Sequence, residues 1–111
     1  MKYPRIWIAA HKGPLYTVLN HDAPPEALRV VLRMVPELSE DEADEIVMEL
    51  VHNPNAPADV LRELAHHPGH NVRWAVARHD NTPDEVLVKL AGEEETLVRR
   101  DAQRNLEGRR K

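Results

Sequence analysis

A stretch of 26 residues occurs twice in succession, and that echo constrains the fold more than any other feature of the chain. Residues 51–76, VHNPNAPADVLRELAHHPGHNVRWAV, return as residues 77–102, ARHDNTPDEVLVKLAGEEETLVRRDA. The positions that keep their residue are Asn55/Asn81, Pro57/Pro83, Val60/Val86, Leu61/Leu87, Leu64/Leu90, Ala65/Ala91, Val72/Val98 and Arg73/Arg99. A repeat of this length is a unit of secondary structure that cannot bury its apolar face alone, so successive units have to stack. A fainter copy precedes the pair, because residues 20–28 match residues 53–61 at an interval of 33. An enlarged second helix over residues 40–51 accounts for the longer interval.

The local signals are those of short helices joined by proline and asparagine turns. Pro24-Pro25-Glu26 reads as a helix start, since a proline in the first turn lacks only an N–H that had no intrahelical partner. Leu28, Val31, Leu32 and Val35 then share a face until Pro36 stops the helix. Ser39-Glu40-Asp41-Glu42 has the form of a capping box. Ala43, Ile46, Val47, Leu50 and Val51 follow at helical spacing. Pro57 opens the next helix, with Val60, Leu61, Leu64 and Ala65 inward. Asn71 is expected to cap a helix over residues 72–78, and Thr82-Pro83-Asp84-Glu85 predicts a threonine N-cap with proline and glutamate behind it. Helices over residues 83–91 and 97–106 complete the series, and residues 1–20 read as a short helix or extended piece, a turn at Gly13-Pro14 and a last helical turn. Helices shorter than about 12 residues are marginal in water, so contacts between them must supply the stability.

Composition narrows the function classes. The 111 residues contain no cysteine and no phenylalanine, so Leu, Val and Ala have to fill the core. Without cysteine there is no disulfide, thiolate metal site or cysteine nucleophile. No apolar run approaches the roughly 20 residues of a membrane span, and the expected setting is cytoplasmic. The net charge of −4 gives no overall attraction to nucleic acid. That charge is unevenly spread: Glu37, Glu40, Asp41, Glu42, Asp44, Glu45 and Glu49 fall together without a base, whereas Arg99, Arg100, Arg104, Arg109, Arg110 and Lys111 crowd the end.

The phrase VRWAVARHDNTPDEVLVKLA, residues 72–91, resembles the leucine-rich repeat variant, an all-helical repeat despite its name. Val72, Arg73, Val76, Ala77, Thr82, Pro83, Glu85, Leu87, Leu90 and Ala91 carry the likeness, with Asn81 in the turn. Asn53, Pro54, Pro57, Leu61, Leu64 and Ala65 extend it backwards, and Val98, Arg99, Ala102 and Asn105 forwards. The resemblance implies a small right-handed solenoid close to HEAT and armadillo stacks, and it implies no activity. Some members bind an Fe–S cluster through cysteines; this chain has none, so no cofactor carries over. The expected organisation is one all-α domain over residues 1–111: an irregular cap over 1–19, a divergent repeat over 20–52, clear repeats over 53–79 and 80–107, and a basic tail over 108–111.

Candidate chemistry is sparse. His66, His67, His70 and His79 lie close in sequence, with Asp80 beside them, but Pro68-Gly69 breaks the helix that would align them as zinc ligands. They are expected to sit at helix C-termini and bond free carbonyls there. Glu93, Glu94 and Glu95 read as a solvated turn, and Ser39 and Thr82 as caps rather than nucleophiles. No phosphate-cradling loop or catalytic triad motif is present, so no enzyme activity is expected. The residues expected to contact a partner are Arg73, Trp74, Arg78, Arg99, Arg100 and Arg104, because tryptophan beside arginine is a frequent interface anchor. That partner is expected to be a protein, with a nucleic acid held on an arginine-lined face as the rival reading and a homodimer as a further option.

Overall fold

The computed structural model describes residues 3–110. Its elements are α1 (Pro4–Ala10), α2 (Pro14–Leu19), α3 (Pro25–Met34), α4 (Glu40–His52), α5 (Ala58–Leu64), α6 (His70–Arg78), α7 (Asp84–Leu90) and α8 (Thr96–Arg109), with a 3-10 turn at Val35–Glu37 between α3 and α4. The described residues are all-α. Met1, Lys2 and Lys111, the outer ends of the expected cap and tail, lie outside them.

Proline sets most of the helix starts. It occupies the first turn of α1, α2 and α3, and Pro24, Pro57 and Pro83 stand as N-caps of α3, α5 and α7 with extended backbone. Ser39 caps α4 as expected, accepting from the Glu42 N–H at 3.3 Å while its hydroxyl donates to the Glu42 carboxylate at 2.8 Å. Two expected caps are corrected. Thr82 is buried and donates to the Val76 carbonyl at 2.7 Å, tying the turn to the end of α6 instead of capping α7. Asn71 lies inside the first turn of α6, whose N-cap is Gly69. The corner between α1 and α2 needs two left-handed residues in a row, Lys12 at φ 72° and Gly13 at φ 94°, a conformation that glycine adopts without a Cβ penalty.

The helices pack in two series. The odd-numbered helices α1, α3 and α5 touch in chain order, as do the even-numbered α2, α4, α6 and α8, and each odd helix also meets the even one that follows it. The molecule measures 40 × 30 × 17 Å, and its thinnest dimension suits two layers of helices at the usual 8–10 Å separation. Leu28, Leu50, Leu61, Leu87, Val31, Val60, Val76 and Val98 are fully buried between the layers. Leu28, Val31, Leu50, Val60 and Leu61 are among the positions that the sequence pattern places inward, whereas Leu32, Val35 and Ala65 are only partly buried.

The echo recurs as a ladder of side-chain hydrogen bonds. Asn53, only 1% exposed, donates to the carbonyls of Val18 and Asn20 at 2.8 and 3.1 Å. Asn105, two 26-residue steps later, donates to the carbonyls of Ala77 and His79. His79 stands between them in register, and its Nε2 meets the Asn53 carbonyl at 2.8 Å. A second rail runs beside the first: Asn55 donates to the carbonyls of His21 and Ala23, and Asn81 to those of Pro54 and Ala56. Asn20, Asn53 and His79 also make the same local turn, each accepting from the N–H two residues on. His79 therefore imitates asparagine: its Nδ1 accepts from Asn81, so its Nε2 carries the proton that reaches Asn53.

Ion pairs repeat along the odd-numbered layer. Arg29 on α3 pairs with Asp59 on α5 at 2.8 Å, and Arg62, 33 residues later, pairs with Glu85 on α7 at 2.6 Å. Partial burial by itself would raise the Asp59 carboxyl, but Arg29 and the local backbone N–H groups outweigh it and hold the group below its ordinary value. These pairs are solvent-exposed and each contributes about 0–1 kcal/mol. At the next register position the arginine is replaced by Val88, 62% exposed. Arg109, in the expected basic tail, belongs to α8 and donates to the Asp80 carbonyl at 2.9 Å and to Asp84 at 2.7 Å.

The ladder makes a register-specific prediction. Replacing Asn53 with alanine removes two buried bonds and should destabilise the fold by about 1–3 kcal/mol in denaturant unfolding. His79→Ala should cost a comparable amount, whereas His79→Asn, which restores the neighbouring residue type, should retain most of the stability.

Candidate functional site

Each even-numbered helix carries one residue pair at the same sequence register. Leu15 and Leu19 on α2 are followed by Met48 and His52 on α4, by Trp74 and Arg78 on α6, and by Arg100 and Arg104 on α8. Outward pairs four residues apart lie on one helix face, so this series forms a strip along the molecule. It changes from apolar at α2 to basic at α8.

At the basic end the side chains converge on Asp101. The Trp74 indole N–H donates to its carboxylate at 2.6 Å, and the guanidiniums of Arg100, Arg104 and Arg78 lie 3.4, 3.8 and 3.9 Å from it. Arg78 also stacks over the Trp74 ring, 4.9 Å from its centroid, a favourable cation–π geometry. The Asp101 side chain is only 12% exposed, while those of Arg78, Arg100 and Arg104 are 58, 48 and 69% exposed. Burial by itself would raise the Asp101 carboxyl; the indole hydrogen bond, Arg100 and the charge of Arg104 outweigh it and hold the group below the ordinary 3.8 of an aspartate. An open groove of about 540 Å³ adjoins this cluster between α4 and α6, lined by the apolar Met48, Val51, Trp74 and Ala75 and by the polar His52, Asn71, Arg78, His79 and Asp80.

The structure thus brings together Trp74, Arg78, Arg100 and Arg104 and separates Arg73 and Arg99 from them. Arg73 donates to the carbonyls of His67 and Pro68 at 2.8 and 3.0 Å, and Arg99 repeats this on Glu93 and Glu94, its neighbours one 26-residue step later. Arg73 also pairs with Glu93 at 2.9 Å, and both side chains are largely buried, 18 and 23% exposed. Both arginines close helix corners, and Glu93 is a structural partner rather than part of a solvated turn. Glu94 and Glu95 are exposed. Trp74 reaches forward to α8, so its main polar tie is to the following helix pair.

His11, His52, His67 and His79 bond the backbone. Among the described residues no three His, Asp or Glu side chains are grouped to hold a metal ion. His52 follows the expected pattern, bonding the Met48 carbonyl at the end of α4. His67 instead accepts the Gly69 N–H at 2.9 Å, and a Cβ on Gly69 would sit 3.1 Å from the same ring nitrogen. His70 lies at the start of α6 rather than at a helix C-terminus. Among the described residues no helix is long and apolar enough to cross a membrane.

Sequence reasoning missed Asp101, Met48 and His52. The signal for Asp101 is a charged residue at a register where the preceding copy has the buried Ala75. Met48 and His52 stand 26 residues before Trp74 and Arg78. The chain shows no significant match to any protein-family model, curated protein or solved structure.

Asp101 makes the site acid-sensitive in one direction. A carboxyl held below its unfolded value contributes stability that is present at neutral pH and lost as pH falls through the folded value. Asp101→Asn should therefore be less stable than the parent at pH 7 by about 1–3 kcal/mol. The difference should close below about pH 4, near the ordinary aspartate range, as followed by chemical denaturation at each pH.

Proposed function

We propose that this chain is a non-catalytic protein-interaction module, a small right-handed stack of helix pairs of leucine-rich-repeat-variant or HEAT-like type. Its partner docks on the face of α4, α6 and α8. The repeated amide rails, which tie each turn to the one before it, support the stacked-repeat reading. The observation that carries the functional reading is the Trp74–Arg78–Asp101 cluster set beside an open groove.

Tryptophan and arginine dominate interface hot spots because they supply large contact areas with a few oriented donors. Here both are fixed before a partner arrives: the indole by Asp101 and the guanidinium by the indole face. Prior ordering lowers the entropic cost of binding. The nucleic-acid rival fits the arrangement less well. Arg62, Arg73 and Arg99 are taken up by Glu85, Glu93 and corner carbonyls, and the net charge is −4.

Affinity capture from a lysate of the native host, with and without nuclease, tests the reading. The parent chain should recover the same protein in both arms, and Trp74→Ala and Arg78→Glu, each checked for folding by circular dichroism, should lose at least nine-tenths of it. Recovery confined to the arm without nuclease would replace this reading with that of a nucleic-acid-binding helical repeat.

A further inference from the structure

We infer that the bound segment is an acidic, extended peptide of a partner protein, anchored by one apolar side chain in the α4–α6 groove and carrying its carboxylates onto α8. This inference rests on the interaction-module reading and adds the chemistry and direction of the ligand. The strip runs from Met48 and His52 through Trp74 and Arg78 to Arg100 and Arg104, so an apolar contact is available at one end and cationic donors at the other.

Charge complementarity selects the acidic partner. Three guanidiniums surround one carboxylate, which leaves two positive charges on an exposed patch. Asp101 orients these arginines without saturating them, because a guanidinium has five N–H donors and each contacts Asp101 through one nitrogen. The free donors suit paired bonds to a carboxylate. The patch also has a boundary: α4 carries Glu45 and Glu49 and contains neither lysine nor arginine. A polyanion continuing from α8 across α4 would meet those acids, whereas a segment whose acidic part stops at α8 would not.

Geometry sets the spacing. Neighbouring packed helices lie about 8–10 Å apart, and an extended chain advances about 3.3 Å per residue. The groove lies between α4 and α6 and the arginines lie one helix further on, so the acid should follow or precede the anchor by about three to five residues.

The test uses the whole chain and synthetic peptides with one leucine and two adjacent glutamates, separated by one to eight Gly/Ser residues in either order. Control peptides carry Leu→Ser or Glu→Gln, and a single-stranded oligonucleotide is run beside them in calorimetric titrations at low and physiological salt. The expected result is an affinity maximum at a spacing of about three to five residues, lowered about tenfold or more by either control. The double variant Arg100→Gln/Arg104→Gln should erase the preference for glutamate over glutamine and keep the preference for leucine over serine. Equal binding of glutamate and glutamine peptides, no spacing optimum, no binding by any peptide, or tighter binding of the oligonucleotide would each overturn the inference. A protein captured from lysate in a Trp74-dependent manner, yet unaffected by the double variant, would overturn the acidic segment and leave the interaction module standing. Nuclease-sensitive capture would remove both.

Discussion

A turn between two short helices leaves backbone carbonyls pointing away from the chain with no partner in their own helix. In this molecule the turns lie against one another, so those carbonyls need donors from the next turn. Side-chain amides supply them. Asn53, Asn55, Asn81 and Asn105, with His79 in the same role, each reach back to one or two carbonyls of the preceding helix pair. The apolar layers explain why the helices collapse, since none of them would persist alone in water. The amides explain why the layers take one spacing and one register, because a buried amide displaced by a residue would be left unpaired at considerable cost. Among the described residues no buried side-chain nitrogen or oxygen lacks a partner.

Much of this was legible in the sequence, and the limits have physical causes. The helix order, the inward Leu and Val positions and the proline starts follow from period and from the missing proline N–H. The ladder was visible as asparagines at matching positions, but its role was not, because a side-chain donor reveals nothing about an acceptor 25 or more residues away. Thr82 misled for a related reason: a threonine before proline has the form of a cap, yet its hydroxyl found a nearer carbonyl on α6. Of the residues expected to meet a partner, Arg73 and Arg99 share a repeat register and are spent on equivalent corner carbonyls. Trp74 and Arg100 differ at one shared register while Arg78 and Arg104 repeat at another, and these four are the residues brought together around Asp101.

Arg29 and Arg62, Arg73 and Arg99, and the turn amides keep the same job from one helix pair to the next. The outward positions of the even-numbered helices change from Met48 to Trp74 to Arg100 while their backbone setting is preserved. Asp101 makes the change possible at α8, because three guanidiniums so close would repel one another without an anion among them. The rigid scaffold and the variable strip are therefore coupled through a single carboxylate.

The amide rails also have a direction. Every donor reaches toward an acceptor that lies earlier in the chain, from Asn53 to Val18, from Asn81 to Pro54 and from Asn105 to Ala77. Loss of a helix pair from the far end would expose carbonyls, which water satisfies readily, whereas loss from the near end would strand donors beside apolar surface. A polypeptide emerging from the ribosome N-terminus first meets that asymmetry in the favourable order. Each newly made amide finds its acceptors already in place, whereas the partners of Arg29, Arg62, Arg73 and Trp74 are made later.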